Sequence, residues 1–250
     1  MKNYFLRKEL FLSEKCEIES FATRLEMICN AAIEARVPVL IDSEESWFMD
    51  SIEEHILDLM QKFNHKNCWI FYTYQMYRVN AYQKLISNIE YARESGFILG
   101  AKLVRGAYWE KELEFAKEFS LSPLVFEHKA DTDMNFDSAL QKILTNLKYV
   151  SLVCATHNEK SIQLLTSLMT ANGLARNDYR IWFSQLYGMA DYITNSLSAE
   201  SYNVCKYLPV GTVEALVPYL IRRAEENSTL NEMARIEKLK MNLELERRNL

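Results

Sequence analysis

Lys102-Leu103-Val104-Arg105-Gly106-Ala107-Tyr108-Trp109 is the stretch on which the reading of this chain turns. The apolar run Phe97-Ile98-Leu99 leads into it, and a charge-rich, helix-like segment follows from Glu110. Together they read as a buried strand whose C-terminal end opens on Gly106 and Ala107. Two small residues in succession let something flat approach the backbone. Tyr108 and Trp109 add aromatic surface and a hydroxyl at the same end. An ordinary strand-to-helix turn with packed aromatics has the same signature, so the rest of the chain has to decide.

Working outward, strands and helices alternate. Val37–Asp42, Cys68–Tyr74, Tyr149–Ala155, Tyr179–Leu186 and Asn203–Leu208 are further apolar strand candidates, and Pro123–Glu127 is a weak one. Helical periodicity runs through Glu14–Arg36, Trp47–Phe63, Ala81–Ser95, Phe136–Leu147, Glu159–Ala171 and Val213–Glu226. Strands apolar on both faces need helices on their flanks. The pattern predicts a parallel sheet in the α/β class, either a (β/α)8 barrel or a doubly wound sheet. No G-x-G-x-x-G follows any strand, which weighs against the dinucleotide-binding sheet. The strand count is seven where a closed barrel has eight, and the chain opens on a helix. The expectation is a distorted (β/α)8-type barrel lacking its first strand, with the strand at 202–208 beside an open seam. It forms a single domain over 1–250, with an N-terminal helix within 1–36 and a charged helical tail over 228–250.

Composition narrows the function. The chain has 250 residues, 49% of them hydrophobic, and a net charge of -5. That charge argues against a nucleic-acid surface. No apolar run approaches the roughly 20 residues of a membrane span. The N-terminus carries no leader pattern, and the five cysteines are dispersed without a C-x-x-C. Reduced thiols in a cytoplasmic setting are the expectation.

Every main strand ends in polar or aromatic groups. Asp42, Ser43, Glu44 and Glu45 follow the first, and Thr73, Tyr74 and Gln75 the second. Arg105 and Tyr108 follow the third. Thr156, His157 and Asn158, then Gln185 and Tyr187, and finally Tyr207 close the later ones. A single such residue is ordinarily a cap or turn former. All of them together mark the end of a barrel where chemistry resides. Arg222-Arg223 on the last main helix is either a solvated basic pair or, from a barrel mouth, a clamp for a carboxylate.

At this point the chain resembles the proline dehydrogenase family. The motifs are Leu40-Ile41-Asp42-Ser43-Glu44-Glu45, Lys102 to Tyr108, Ala155-Thr156-His157-Asn158, Gln185-Leu186-Tyr187-Gly188-Met189 and Tyr219 to Asn227. The resemblance implies FAD across the C-terminal ends of a barrel's strands. It implies oxidation of L-proline to pyrroline-5-carboxylate by hydride transfer to the flavin. Arg222 and Arg223 then correspond to the carboxylate clamp, and Tyr108, Leu186 and Tyr207 to walls of the ring pocket. Asp42 corresponds to the acid that orders a lysine and tyrosine network, and Lys102 to the basic residue of the central strand. Ser43, Val104, Arg105, Gly106, Ala107 and Trp109 correspond to the stretches passing the cofactor, and Thr156 and His157 to its phosphate and ribitol contacts. Glu226 corresponds to a carboxylate steadying the last helix or the cofactor. The electron acceptor implied is a membrane quinone, which would bring the protein to the inner membrane's surface.

Two departures set further expectations. No lysine motif of the family's first strand precedes Val37, and Tyr72 occupies the place expected for an amide facing the flavin. These leave open an alternative, a barrel remnant without catalysis.

Overall fold

Residues 12–214, 216–221, 238–239, 242–243 and 245–248 are described by a computed structural model of the chain. Six of the seven apolar runs become strands, each bounded by a turn or a helix cap. In order the elements are α1 (Leu12–Glu34), β1 (Val39–Ile41), α2 (Ser46–Phe63), β2 (Ile70–Gln75), α3 (Ala81–Ser95) and β3 (Leu99–Val104). Then follow α4 (Trp109–Glu118), α5 (Lys129–Leu144), β4 (Val150–Ala155), α6 (Glu159–Ala171), β5 (Ile181–Leu186), α7 (Asp191–Ala199) and β6 (Val204–Tyr207).

All six strands are parallel and pair in sequence order, β1 to β6. Alternation along each strand sorts its side chains. Ile70, Tyr72 and Tyr74, Leu99, Ala101 and Leu103, Leu152 and Cys154, and Ile181 and Phe183 join one buried core. Helix residues such as Leu85, Ile89, Phe136, Leu140 and Leu165 complete it. Each of these large side chains contributes about 1.5–3 kcal/mol by leaving water. The opposite row carries Thr73, Gln75, Lys102, Ser151 and Ser184, all buried. In β2, β3 and β4 the helix side is therefore apolar and the inner side mixed, a correction to the expectation of two apolar faces; in β5 and β6 the helix-side row ends in Gln185 and Lys206, which reach Thr194 and Asp191 of α7.

The inner side is concave. On a flat sheet, side chains of the third and sixth strands stand about 14 Å apart and parallel to one another. Here the Lys102 ammonium of β3 lies 5.5 Å from the ring centre of Tyr207 in β6. Only a strongly curled sheet brings them together. Among the described residues β1 and β6 are its edges and do not pair with each other. This is a parallel barrel open on one side, with residues 202–208 at the seam as expected.

Three expectations are corrected. Pro123–Glu127 is not a strand of the sheet. Val125 bridges Arg78 antiparallel, Val79 N–H donates to Leu124 O at 2.9 Å, and Phe126 N–H donates to Tyr77 O at 2.8 Å. The segment clips the β2–α3 connection to the α4–α5 connection, while β3 pairs directly with β4. The strand count is thus six. Helix α5 begins at Lys129, seven residues before the apolar periodicity does, because its first two turns are polar. Helix α7 has no counterpart in the sequence reading. Its first turn opens at Ala190 in the left-handed region, φ 51°.

Candidate active site

The site grows from Lys102. Its position in β3 points it to the inner side, and its side chain is only 9% exposed. A buried ammonium needs a partner. Asp42, just past β1, supplies it through Oδ1. The same oxygen accepts from the Thr73 hydroxyl of β2 at 3.1 Å. Ser43 donates from its hydroxyl to the Thr73 carbonyl, so the turn after β1 is tied to the strand beside it. Asp42 remains 45% exposed. Three adjacent strands thus converge on one ion pair, with the Tyr207 ring on its far side.

Gln75, one of the polar residues that close the second strand, supplies an amide on the inner side. The amide was sought at Tyr72, but Tyr72 lies on the helix side and packs edge-on against Tyr74 at 4.9 Å. Gln75, three residues on and of opposite parity, faces the site and is buried. Its Nε2 donates to Glu44 O at 2.8 Å, and its Oε1 accepts from Ala107 N–H at 3.4 Å. The usable signal was parity: counted from core-facing Tyr74, the polar residue closing the strand must face inward.

The rim continues along the quoted stretch. Val104 O and Arg105 O accept from Met76 and Tyr77 N–H at 2.8 and 2.7 Å. Gly106 and Ala107 are exposed, and Tyr108 donates its hydroxyl to Glu44 Oε2. Trp109 donates its ring N–H to Phe126 O at 2.8 Å and so pins the clip described above.

Arg105 is a strut. Its Nε donates to Asp133 at 2.6 Å, and its two terminal nitrogens donate to Thr156 Oγ1 at 2.6 Å and Ser161 Oγ at 3.0 Å. Its plane lies 4.6 Å from the Phe136 ring centre. Burial pushes the Asp133 carboxyl up, but hydrogen bonds from Lys129 and Arg105 outweigh it and hold the group below its ordinary value. Thr156 Oγ1 also accepts from Asn158 N–H at 3.0 Å, and Asn158 caps α6 by accepting from Lys160 and Ser161 N–H. His157 accepts from Leu186 N–H through Nε2 at 3.0 Å, which assigns its proton to Nδ1. Leu186 O takes a hydrogen bond from Lys206 at 3.3 Å, and Leu186 pairs with Tyr207 in the sheet.

Of the sequence-derived site residues, Asp42 and Lys102 therefore form one ion pair with Ser43 and Tyr207 beside it, while Tyr108 is tied to Glu44, two residues beyond Asp42. Arg105, Thr156, His157 and Leu186 form a second, linked group along the strand ends. Arg222, Arg223 and Glu226 lie outside the described residues.

The profile of the proline dehydrogenase family matches residues 3–235. Human mitochondrial proline dehydrogenase 1 is 34% identical over 238 residues, which covers 94% of this chain and 40% of that protein. Hydroxyproline dehydrogenase of Xenopus laevis is 32% identical over 244 residues, 95% of this chain and 52% of that protein. The chain thus spans about half or less of these relatives' length. Among solved structures, proline utilization A from Bdellovibrio bacteriovorus, inactivated by N-propargylglycine, superposes with a TM-score of 0.80 at 26% identity, over 90% of this chain and 23% of that one. Proline utilization A with proline bound in remote sites has the same fold, with a TM-score of 0.76 at 24% identity over 86% of this chain and 22% of that one. No described helix is long and apolar enough to cross a membrane.

Proposed function

Because this chain belongs to the proline dehydrogenase family, we propose that it oxidises L-proline to pyrroline-5-carboxylate with FAD as hydride acceptor. The observation that carries the reading is the convergence of Asp42, Lys102 and Tyr207, from the first, third and last strands, on one concave face.

The donor set fits the cofactor. A flavin ring presents carbonyl oxygens and ring nitrogens along an edge and apolar surface on its faces. Gln75, the last residue of β2, and Lys102, two residues before the end of β3, are buried donors on neighbouring strands. The exposed ring of Tyr207 and the half-buried Leu186, on paired strands, offer apolar walls. Thr156, His157 and the start of α6 follow, where a helix N-terminus suits phosphates. On this reading Lys102 and Gln75 hold the ring edge, Ser43, Val104–Ala107 and Trp109 line its flank, and Thr156 and His157 hold the ribitol and phosphates. Bound FAD supplies a two-electron acceptor for the hydrogen on the carbon next to proline's nitrogen.

The chain's own residues bind and orient. Asp42 fixes the Lys102 ammonium. Tyr108, Leu186 and Tyr207 confine the pyrrolidine ring, and positioning of this kind is worth several orders of magnitude in rate. Arg222 and Arg223, which lie outside the described residues, are assigned the carboxylate clamp on the family resemblance, and Glu226 a supporting carboxylate. The electron acceptor that the family resemblance implies is a membrane quinone.

The test is direct. The purified chain is mixed with FAD, and bound flavin is read from its visible absorbance. Proline and 4-hydroxyproline are then supplied separately with an artificial electron acceptor. Near-equimolar flavin and proline-dependent turnover support the reading. A flavin-free chain, or a flavin-bound chain inert to proline, favours the alternative of a barrel without catalysis.

A further inference from the structure

Helix α4 carries a stripe at Tyr108, Lys111, Glu112 and Phe115, spaced so that all four share one face. They meet four successive residues that run from the end of the β1–α2 connection into the first turn of α2. The Tyr108 hydroxyl donates to Glu44, Lys111 pairs with Glu45 at 2.7 Å, Glu112 accepts from Ser46, and Phe115 stacks on Trp47 with ring centres 4.2 Å apart.

The innermost contact is the tightest. Glu112 and Ser46 are 2% and 1% exposed. Glu112 Oε1 accepts the Ser46 backbone N–H at 2.7 Å, and Oε2 accepts the Ser46 hydroxyl at 2.8 Å. Helix α2 has no side-chain cap of its own, since Glu45 at the N-cap makes no capping hydrogen bond. Helix α4 therefore lends α2 its cap, a carboxylate at the end where free N–H groups and the helix dipole favour negative charge. A carboxylate this deep is tolerated only with such donors, so the contact has one geometry.

Only three residues separate Ser46 from Asp42, and Tyr108 stands one helical turn before Glu112. We infer that Glu112, together with Ser46, is a positioning residue: it fixes Tyr108 on one half of the rim relative to the Asp42–Lys102 pair on the other. The inference rests on the proline-oxidation reading for what that spacing serves.

The experiment compares wild type, Glu112→Gln, Glu112→Ala, Ser46→Ala and, as a control on the outward face of α4, Glu114→Gln, each with FAD. Glu112→Ala and Ser46→Ala are expected to raise the proline KM, Glu112→Ala by about 10-fold or more, with a smaller loss in kcat. Glu112→Gln keeps an acceptor for the Ser46 N–H and recovers much of that loss, while Glu114→Gln behaves as wild type. In a Tyr108→Ala background, which removes the ring that Glu112 positions, Glu112→Ala costs less than about threefold, because its effect runs through Tyr108. Fully additive losses, or wild-type KM in Glu112→Ala, would overturn the inference.

Hydrogen exchange on the chain without proline gives a reading independent of turnover. Segments 42–47 and 105–111 both exchange faster in Glu112→Ala. Faster exchange confined to 42–47 would reduce Glu112 to a helix cap and overturn its positioning role. A wild-type chain that binds FAD yet does not oxidise proline would instead sink the functional reading, and the exchange result would still judge the coupling.

Discussion

Gly106 lies against the ring of Tyr77: a Cβ built at Gly106 would stand 2.4 Å from Tyr77 Cδ1, closer than any real contact of that kind. Its φ of +135° is also one that side chains with a Cβ rarely adopt. Gly106→Ala is therefore strained twice, in its backbone and against the ring. It should lose about 2 kcal/mol or more of stability in urea unfolding. Truncating the ring in Tyr77→Ala should shrink that loss without abolishing it, since the backbone strain stays.

That contact also shows how far the sequence could be read. Two small residues after an apolar strand pointed to something flat lying on the backbone, and at Gly106 the flat group is Tyr77, which no spacing rule connects to it. The alternation of strands and helices was legible because the helix-side rows of β2, β3 and β4 are apolar throughout, from Ile70 through Cys154. Helix α7 was not, because it is only nine residues long and buries just Ile193 and Leu197, too short a stripe to stand out as a period. Pro123–Glu127 looked like a strand because it is apolar and short, yet its partners are the backbone of residues 77–79. In the site, the acid, the lysine and the aromatics were legible as polar punctuation at strand ends. Glu112 was not, because α4 carries four glutamates and only the packing of α2 buries this one.

At the opposite end of the strands, Asn64 is wholly buried after α2. Its Oδ1 accepts from Trp69 and Ile70 N–H at 2.9 and 3.0 Å, and its Nδ2 donates to Ile70 O and Ile98 O at 2.8 and 3.0 Å. It thereby satisfies the backbone where β2 and β3 begin. Asn64→Ala leaves several buried backbone groups without partners, each worth about 1–3 kcal/mol. Thermal unfolding should show a loss of about 3 kcal/mol or more, among the largest for any single substitution here.

Acid should destabilise the fold through Asp178. It accepts from Arg180 Nε at 2.9 Å, from a terminal guanidinium nitrogen at 2.6 Å and from the backbone N–H at 3.0 Å. The hydrogen bonds from the Arg180 side chain hold its carboxyl below the ordinary range, against burial. Between its folded and unfolded values the unfolded chain binds more protons. The stabilisation is therefore full above about pH 4, the unfolded value, and disappears as the pH falls through the folded one. The stability gap between wild type and Asp178→Asn, measured by urea unfolding, should be widest near neutrality and close toward about pH 2. A gap that does not change with pH would show that the ion pair contributes nothing.

The two halves of the central ion pair should respond unequally. The Lys102 side chain is 9% exposed and that of Asp42 45%. Removing the buried partner in Lys102→Met takes a charge out of the interior and leaves Asp42 with water and the Thr73 hydroxyl. Stability should then change by less than about 1 kcal/mol, in either direction. Asp42→Asn instead leaves the ammonium buried without a counter-charge, though with an acceptor still in reach, and should cost about 1–2 kcal/mol. Both variants lose proline turnover under the functional reading, because Asp42 fixes Lys102 and Lys102 holds the cofactor edge. Equilibrium unfolding separates them where turnover does not. A larger stability loss in Lys102→Met than in Asp42→Asn would mean that the lysine's aliphatic stem, packed among the inner-face side chains, matters more to the fold than its charge.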